Sequence, residues 1–266
     1  MLRGARRPHR ADRSGGLALT SRHPGARDSD AQRELARRAL AELLGTAFLV
    51  AGIVGSGIAA QRLSPHDVGL ELLENAFATA SVLVAVILAV GPVSGAHLNP
   101  VISTVDGFFG GLSPRAIAVY VGAQFTGGTL GAVTANTMFG LDPVSLSAHH
   151  RATGPHLLAE AVATFGLVIV VFGVTRSGRA TAAAFAVGAY IAGAYWFTSS
   201  TSFANPAVTL GRMMSDTFSG VAPGSVPGFV ALEIVGGAVG ALCVAVLYPD
   251  VRRLAQRVVV PHEGAA

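Results

Sequence analysis

Two Asn-Pro pairs interrupt apolar stretches of this chain, in Ser94-Gly95-Ala96-His97-Leu98-Asn99-Pro100-Val101 and in Ser202-Phe203-Ala204-Asn205-Pro206-Ala207-Val208. They lie 205 − 99 = 106 residues apart. Asn at a helix start accepts hydrogen bonds from orphan backbone N–H groups, and Pro at the first helical position gives up only an N–H that has no partner there. Each pair therefore predicts a helix that begins midway along membrane-type sequence. Two such starts suggest a pore built by an inverted repeat, with two short helices entering from opposite faces. That is the chemistry of passage, not of bond-making.

Three carboxylates also lie inside apolar runs, where an ionisable group is costly and usually faces a polar interior. For Glu42 and Glu160, two readings stay open: proton carriers of coupled transport, or acceptors for backbone N–H groups of the interrupted loops. Their placement, one per repeat, favours the second. Glu233 stands where the other repeat has Gln124, either protonated or bonded to loop backbone. His149, His150 and His156 share a connection with Asp142, but their irregular spacing reads as solvent-exposed histidines, and no metal or cofactor is expected. Cys243 stands alone, so one chain offers no disulfide or thiol cluster. No Ser-His-Asp order or phosphate loop is present in the sequence, and an enzyme ranks last among the function classes.

The elements that must position these residues are membrane spans. The chain of 266 residues is 51% hydrophobic and 13% charged, against about 25% charged in soluble domains. Six apolar runs, at residues 40–60, 76–93, 116–138, 157–174, 182–199 and 227–248, approach or reach the ~20 residues that cross a bilayer. All 19 basic residues are Arg, and ten fall between Arg3 and Arg38. Arg115, Arg176, Arg179, Arg252, Arg253 and Arg257 put the even-numbered connections and both ends on the same Arg-rich side. The positive-inside rule makes that side cytoplasmic. No basic face remains outside the tail for nucleic acid. Residues 1–33, rich in Arg, Pro, Gly and Ser, read as a disordered cytoplasmic tail and not as a signal peptide. A passive solvated tail is favoured over one that binds anionic lipid, with Asp28, Ser29 and Asp30 as candidate caps of a helical lead-in. Residues 34–250 form the membrane domain, in repeats over 34–140 and 155–250, and residues 251–266 form a cytoplasmic tail.

The duplication rests on two further matches. Ala41-Glu42-Leu43-Leu44-Gly45-Thr46 parallels Ala159-Glu160-Ala161-Val162-Ala163-Thr164, 160 − 42 = 118 residues later. Val121 to Gly128 parallels Val230 to Gly237, with an offset of 233 − 124 = 109. Three spans per repeat invert the second repeat relative to the first. Gly127, Gly128, Gly131, Gly236, Gly237 and Gly240 follow spacings that let helix backbones approach in lipid.

With these residues in view, the sequence resembles the aquaporin, or major intrinsic protein, family. Ser-Gly-Ala-His-Leu-Asn-Pro at 94–100 matches the family's first signature, and Asn205-Pro206-Ala207 the core of its second. Ala-Glu-x-x-Gly-Thr at 41–46 and the Gln124 and Gly237 regions match other positions. The resemblance implies an all-α membrane fold of six transmembrane helices and two re-entrant half-helices, assembled as a homotetramer with one pore per subunit. It gives Asn99 and Asn205 the role of amide donors to passing solute, and sets Glu42, Glu160, Gln124 and His97 as supports of the loops.

Several departures bear on selectivity. Val101 replaces the Ala of the first motif. Where the family usually carries Arg after Asn-Pro-Ala, as the charge of its outer filter, this chain has Val208. Thr79 falls where water-selective members carry a bulky aromatic. The span-five filter residue maps to Tyr195, with Gly193 and Ala194 as alternatives, and Ser202 borders the filter. Arg212 restores a positive rim or pairs at the surface with Asp216, and the surface pair is slightly favoured. The resemblance thus implies a passive channel in the inner (plasma) membrane, both termini cytoplasmic, for water and larger neutral solutes such as glycerol, urea or arsenous acid and organoarsenicals. The alternatives are a proton-coupled secondary transporter using Glu42, Glu160 and Glu233, and a non-conducting scaffold.

Overall fold

The apolar runs become helices whose ends follow their Pro and Asn residues. A computed structural model of the protein describes residues 24–249. Its α-helices are α1 (Pro24–Leu63), α2 (Val68–Ser94), α3 (Pro100–Phe108), α4 (Pro114–Met138), α5 (Gly154–Arg176), α6 (Ala183–Phe197), α7 (Pro206–Met213) and α8 (Val226–Leu247). Short 3-10 turns at Ala180–Ala182 and Pro223–Ser225 lead into α6 and α8. Side-chain caps fix several starts: Asp67 accepts from Leu70 N, and Ser113 from Ala116 N ahead of Pro114.

Six helices, with those turns included, are long and apolar enough to cross a membrane. The other two, α3 and α7, have nine and eight residues. At 1.5 Å per residue they extend roughly 12–14 Å, under half of a ~30 Å hydrocarbon core.

The chain divides after Glu34. In the first unit, α1 already begins at Pro24, so residues 24–33, expected as disordered tail, are helical. Asp28, Ser29 and Asp30 lie inside that helix and not at its cap. Residues 1–23 and 250–266, the remainder of both expected tails, lie outside the described residues.

From Leu35 on, glycines set how closely the helices approach. A Cβ on Gly127 would strike the carbonyl oxygen of Leu43, and one on Gly131 that of Ala47, where α4 crosses α1. In the second repeat, a Cβ on Gly236 would strike the carbonyl of Ala161, and one on Gly240 would sit 3.1 Å from that of Phe165, where α8 crosses α5. Those contacts repeat at the offsets of 109 and 118 read from the sequence. Gly128 admits Ala207 of α7, and Gly237 admits Val101 of α3. Each half-helix therefore seats on a glycine of a long helix from the other repeat, α7 on α4 and α3 on α8. Backbone approach of this kind is what holds helices together in lipid, where burial of apolar side chains gives no preference for protein over acyl chain.

Candidate functional site: a conduit between two opposed half-helices

The loops that deliver the chain into α3 and α7 are built alike. Gly95, Ala96 and Leu98 have φ of 88°, 47° and 52°, and their counterparts 106 residues later, Thr201, Ser202 and Ala204, have 66°, 52° and 50°. Left-handed backbone costs a non-glycine residue roughly 1–2 kcal/mol, so each loop needs something to hold it. A buried carboxylate does so. Glu42 accepts from His97 N (3.0 Å) and Leu98 N (2.7 Å), and also from Ser94 Oγ and Gln124 Nε2. Glu160 accepts from Phe203 N (3.0 Å) and Ala204 N (2.7 Å). Gln124 Nε2 donates onward to Ser103 Oγ, while in the second repeat Thr209 Oγ1 donates to Glu233 Oε1 at 2.6 Å.

Held this way, the two loops present their asparagines to each other. Asn99 caps α3 through Val101 N, and Asn205 caps α7 through Ala207 N and Val208 N. The amide of Asn99 donates to Ala204 O at 2.8 Å, and that of Asn205 donates to Leu98 O at 2.7 Å. Two reciprocal bonds thus bind the N-termini of the half-helices. A carboxamide has two N–H donors. One on each asparagine is spent on this bond, and the other remains for whatever occupies the cavity the two side chains line.

That cavity runs past both asparagines. From α1 and α5 it takes Leu49 and Ile53 with their repeat partners Leu167 and Val171; from α2 and α6 it takes Leu83, Ile87, Val187 and Ile191. Ile102 of α3 and Val208 of α7, equivalent positions of the half-helices, complete the apolar wall. Polar groups occur at separate levels: His97 toward the α3 end, Asn99 and Asn205 between, and Thr79, Tyr195, Ser202 and Arg212 toward the α7 end. Glu42, Glu160 and Glu233 are absent from its lining and fully buried.

A family model described as major intrinsic protein matches residues 30–201. The chain belongs to the major intrinsic protein family. It is 47% identical to the aquaglyceroporin AqpS of Rhizobium meliloti (strain 1021) over 203 residues, 76% of this chain and 86% of that protein. It is 29% identical to the probable aquaporin AqpM of Archaeoglobus fulgidus over 240 residues, 80% of this chain and 96% of that one. Among solved structures, the aquaglyceroporin from Plasmodium falciparum shares the fold, with a TM-score of 0.60 over 80% of this chain and 95% of that one at 21% identity.

The α7 end of the cavity gathers the residues that the sequence assigned to the filter. Thr79 Oγ1 and Tyr195 OH lie 3.1 Å apart across it, both buried; Tyr195, and neither Gly193 nor Ala194, lines the cavity from α6. Ser202 Oγ has no hydrogen-bond partner among the described residues. The expected surface pair of Arg212 with Asp216 does not form. Arg212 is 1% exposed, its Nε donates to Ser219 O, and its Cζ sits 3.4 Å above the centroid of the Phe203 ring. Asp216 instead accepts from Ala148 N at 2.9 Å and lies 3.8 Å from His149 Nε2. Phe203 turns the guanidinium inward because its ring, and the carbonyl of the loop after α7, offer more than a solvated carboxylate does. Arg151 reaches the same ring at 5.8 Å while donating to Gly220 O and Phe218 O. Burial pulls the Arg151 guanidinium below its ordinary range, with Tyr195 and Glu160 acting the other way.

At the α3 end, His97 Nδ1 is 3.2 Å from Ser103 Oγ and Nε2 is 3.8 Å from Asp106 Oδ2. Its ring packs edge-on to Tyr120, whose hydroxyl donates to Ser94 O and accepts from Arg38 Nε. The loop histidines are dispersed, with His156 Nδ1 2.7 Å from Thr153 Oγ1. Sequence reasoning missed Phe203, Arg151, Tyr120 and Asp106. One signal was available for the last: Asp106 and Arg212 both stand seven residues after their asparagines (106 − 99 and 212 − 205), at the same point of each half-helix.

Proposed function

We propose that this chain is a passive, multi-pass membrane channel for small neutral solutes, passing water together with larger hydroxylated molecules such as glycerol and arsenous acid or organoarsenicals. The observation that carries the reading is the pair of reciprocal bonds, Asn99 to Ala204 and Asn205 to Leu98, in a cavity whose wall is mostly apolar. A solute there meets two spare amide donors and the positive ends of two helices. A cation is repelled at that level; a hydroxyl or a water turns its oxygen inward, which interrupts a proton-conducting file. Membership of the family and the likeness to a protein named an aquaglyceroporin support a solute wider than water. So does Val208, a short apolar side chain where the family usually has Arg. The proposed filter is Thr79, Tyr195, Ser202 and Val208.

The same reading places the protein in the inner membrane as a homotetramer, with both termini cytoplasmic and α7 entering from outside. Coupled transport through Glu42, Glu160 and Glu233 is less well supported, since those carboxylates are committed to loop backbone and side chains away from the cavity. Stopped-flow measurements on liposomes test the proposal. Glycerol and arsenous acid should cross the unmodified protein, and Val208→Arg should suppress both while reducing water less. Failure of both solutes to cross the unmodified protein defeats the wide-filter reading. Accumulation of solute against its gradient, driven by protons, defeats the channel reading itself.

A further inference from the structure

Position 208 is apolar, yet the α7 end of the conduit still contains a guanidinium. Arg212 follows Val208 by one helical turn, about 6 Å farther from Asn205 along α7. It lines the same cavity as Val208, Tyr195 and Ser202 and is 1% exposed. Among the described residues no carboxylate lies within salt-bridge distance of it. The acidic groups whose charge it feels, Glu160 and Glu233, are bonded to loop backbone and to Thr209. A guanidinium buried without a carboxylate partner is destabilising unless something else uses its charge. Ser219 O and the ring of Phe203, which also lines the cavity, hold it in place.

Of the cavity-lining residues at this end, Arg212 Nη1 and Ser202 Oγ are buried without a hydrogen-bond partner among the described residues. A guanidinium donor and a hydroxyl on one cavity wall are complementary to an oxygen-bearing neutral solute, and the guanidinium charge opposes a cation. The equivalent position of α3 is Asp106, of opposite sign, so packing common to both half-helices does not call for an arginine here.

We propose that Arg212 is the specificity-determining fixed cation of this channel, taking from one turn farther out the role that an arginine at position 208 would have. The proposal rests on the channel reading above. It gives the pore room for wide solutes at the level of Val208 while keeping a positive charge in the path of every entering ion. One unit charge at about 6 Å and an effective dielectric constant of about 20 corresponds to roughly a 100-fold bias against a cation.

The test uses the full chain in liposomes, with water and glycerol flux followed by light scattering and potassium flux followed under an imposed potential. Arg212→Met should raise potassium flux about 10- to 100-fold, and adding Val208→Arg to that variant should restore exclusion. An Arg212→Met channel that still excludes potassium overturns the proposal. Arg212→His supplies a titratable charge: it should exclude potassium at acidic pH and leak as pH rises through about 6.5, and a leak that ignores pH overturns the proposal. Should these variants not fold, the unmodified protein and Val208→Arg decide. A mouth that already has its cation shows no potassium leak for Val208→Arg to remove, whereas a leak that Val208→Arg closes overturns the proposal. Absence of water and glycerol flux in the unmodified protein would instead defeat the channel reading, which keeps the two failures distinct.

Discussion

Removing the Glu160 carboxylate tests whether a single buried acid holds the loop that forms half of the pore centre. In Glu160→Ala, the backbone N–H groups of Phe203 and Ala204 lose their acceptor, at 3.0 and 2.7 Å, in a region closed to water. A hydrogen bond to a charged group contributes about 1.5–3 kcal/mol, so two amount to about 3–6 kcal/mol. Ser202 and Ala204 keep their left-handed backbone, with φ of 52° and 50°, without that compensation. Relief comes most readily by moving the loop, which also carries the Ala204 carbonyl that Asn99 needs. Glu160→Gln retains one acceptor oxygen and sets an amide N–H against the other donor, so it loses about half as much. The assay is thermal stability in detergent by size-exclusion chromatography, paired with water flux in liposomes. The Ala variant should melt well below the unmodified protein and lose most of its flux, and the Gln variant should fall between. Glu42→Ala should be at least as damaging, since Glu42 accepts four bonds including Ser94 and Gln124. An Ala variant that melts and conducts like the unmodified protein refutes the reasoning.

The same geometry leads to two other outcomes. Gly131→Val places a branched side chain against the Ala47 carbonyl. Overpacking of this kind costs about 1–3 kcal/mol, so the yield of monodisperse protein should collapse, and Gly236→Val should repeat the effect in α8; normal yield from both would show that the helix crossings tolerate separation. Glu233→Gln restores in the second repeat the residue type that Gln124 has in the first, and should leave water and glycerol flux within twofold; loss of transport in this variant would revive a proton-carrying role for Glu233.

With Val208 and Ile102 facing the cavity from equivalent positions, the passage is nearly symmetric in its apolar wall. Its polar lining is not symmetric: the first repeat contributes Thr79 and His97, and the second Tyr195, Ser202 and Arg212.

Most of the architecture was legible in the residues alone. Apolar run length gave the spans, because a bilayer admits few lengths of helix. Asn99-Pro100 and Asn205-Pro206 gave the starts of α3 and α7, because capping and the missing proline N–H are local properties. Matching offsets near 106, 109 and 118 gave an inverted repeat, and the glycines marked where its helices cross. The sequence misjudged the amino end, where residues 24–33, expected as disordered tail, are helical. Tertiary structure alone chose Tyr195 over Gly193 and Ala194, since rotation of α6 is set by its packing on α2 and not by its own pattern. It also decided the direction of Arg212. A guanidinium on a long flexible stem goes to whichever acceptor and ring the rest of the chain brings near it, and Ser219 and Phe203 reach that place only when the loops on both sides of α7 fold over it.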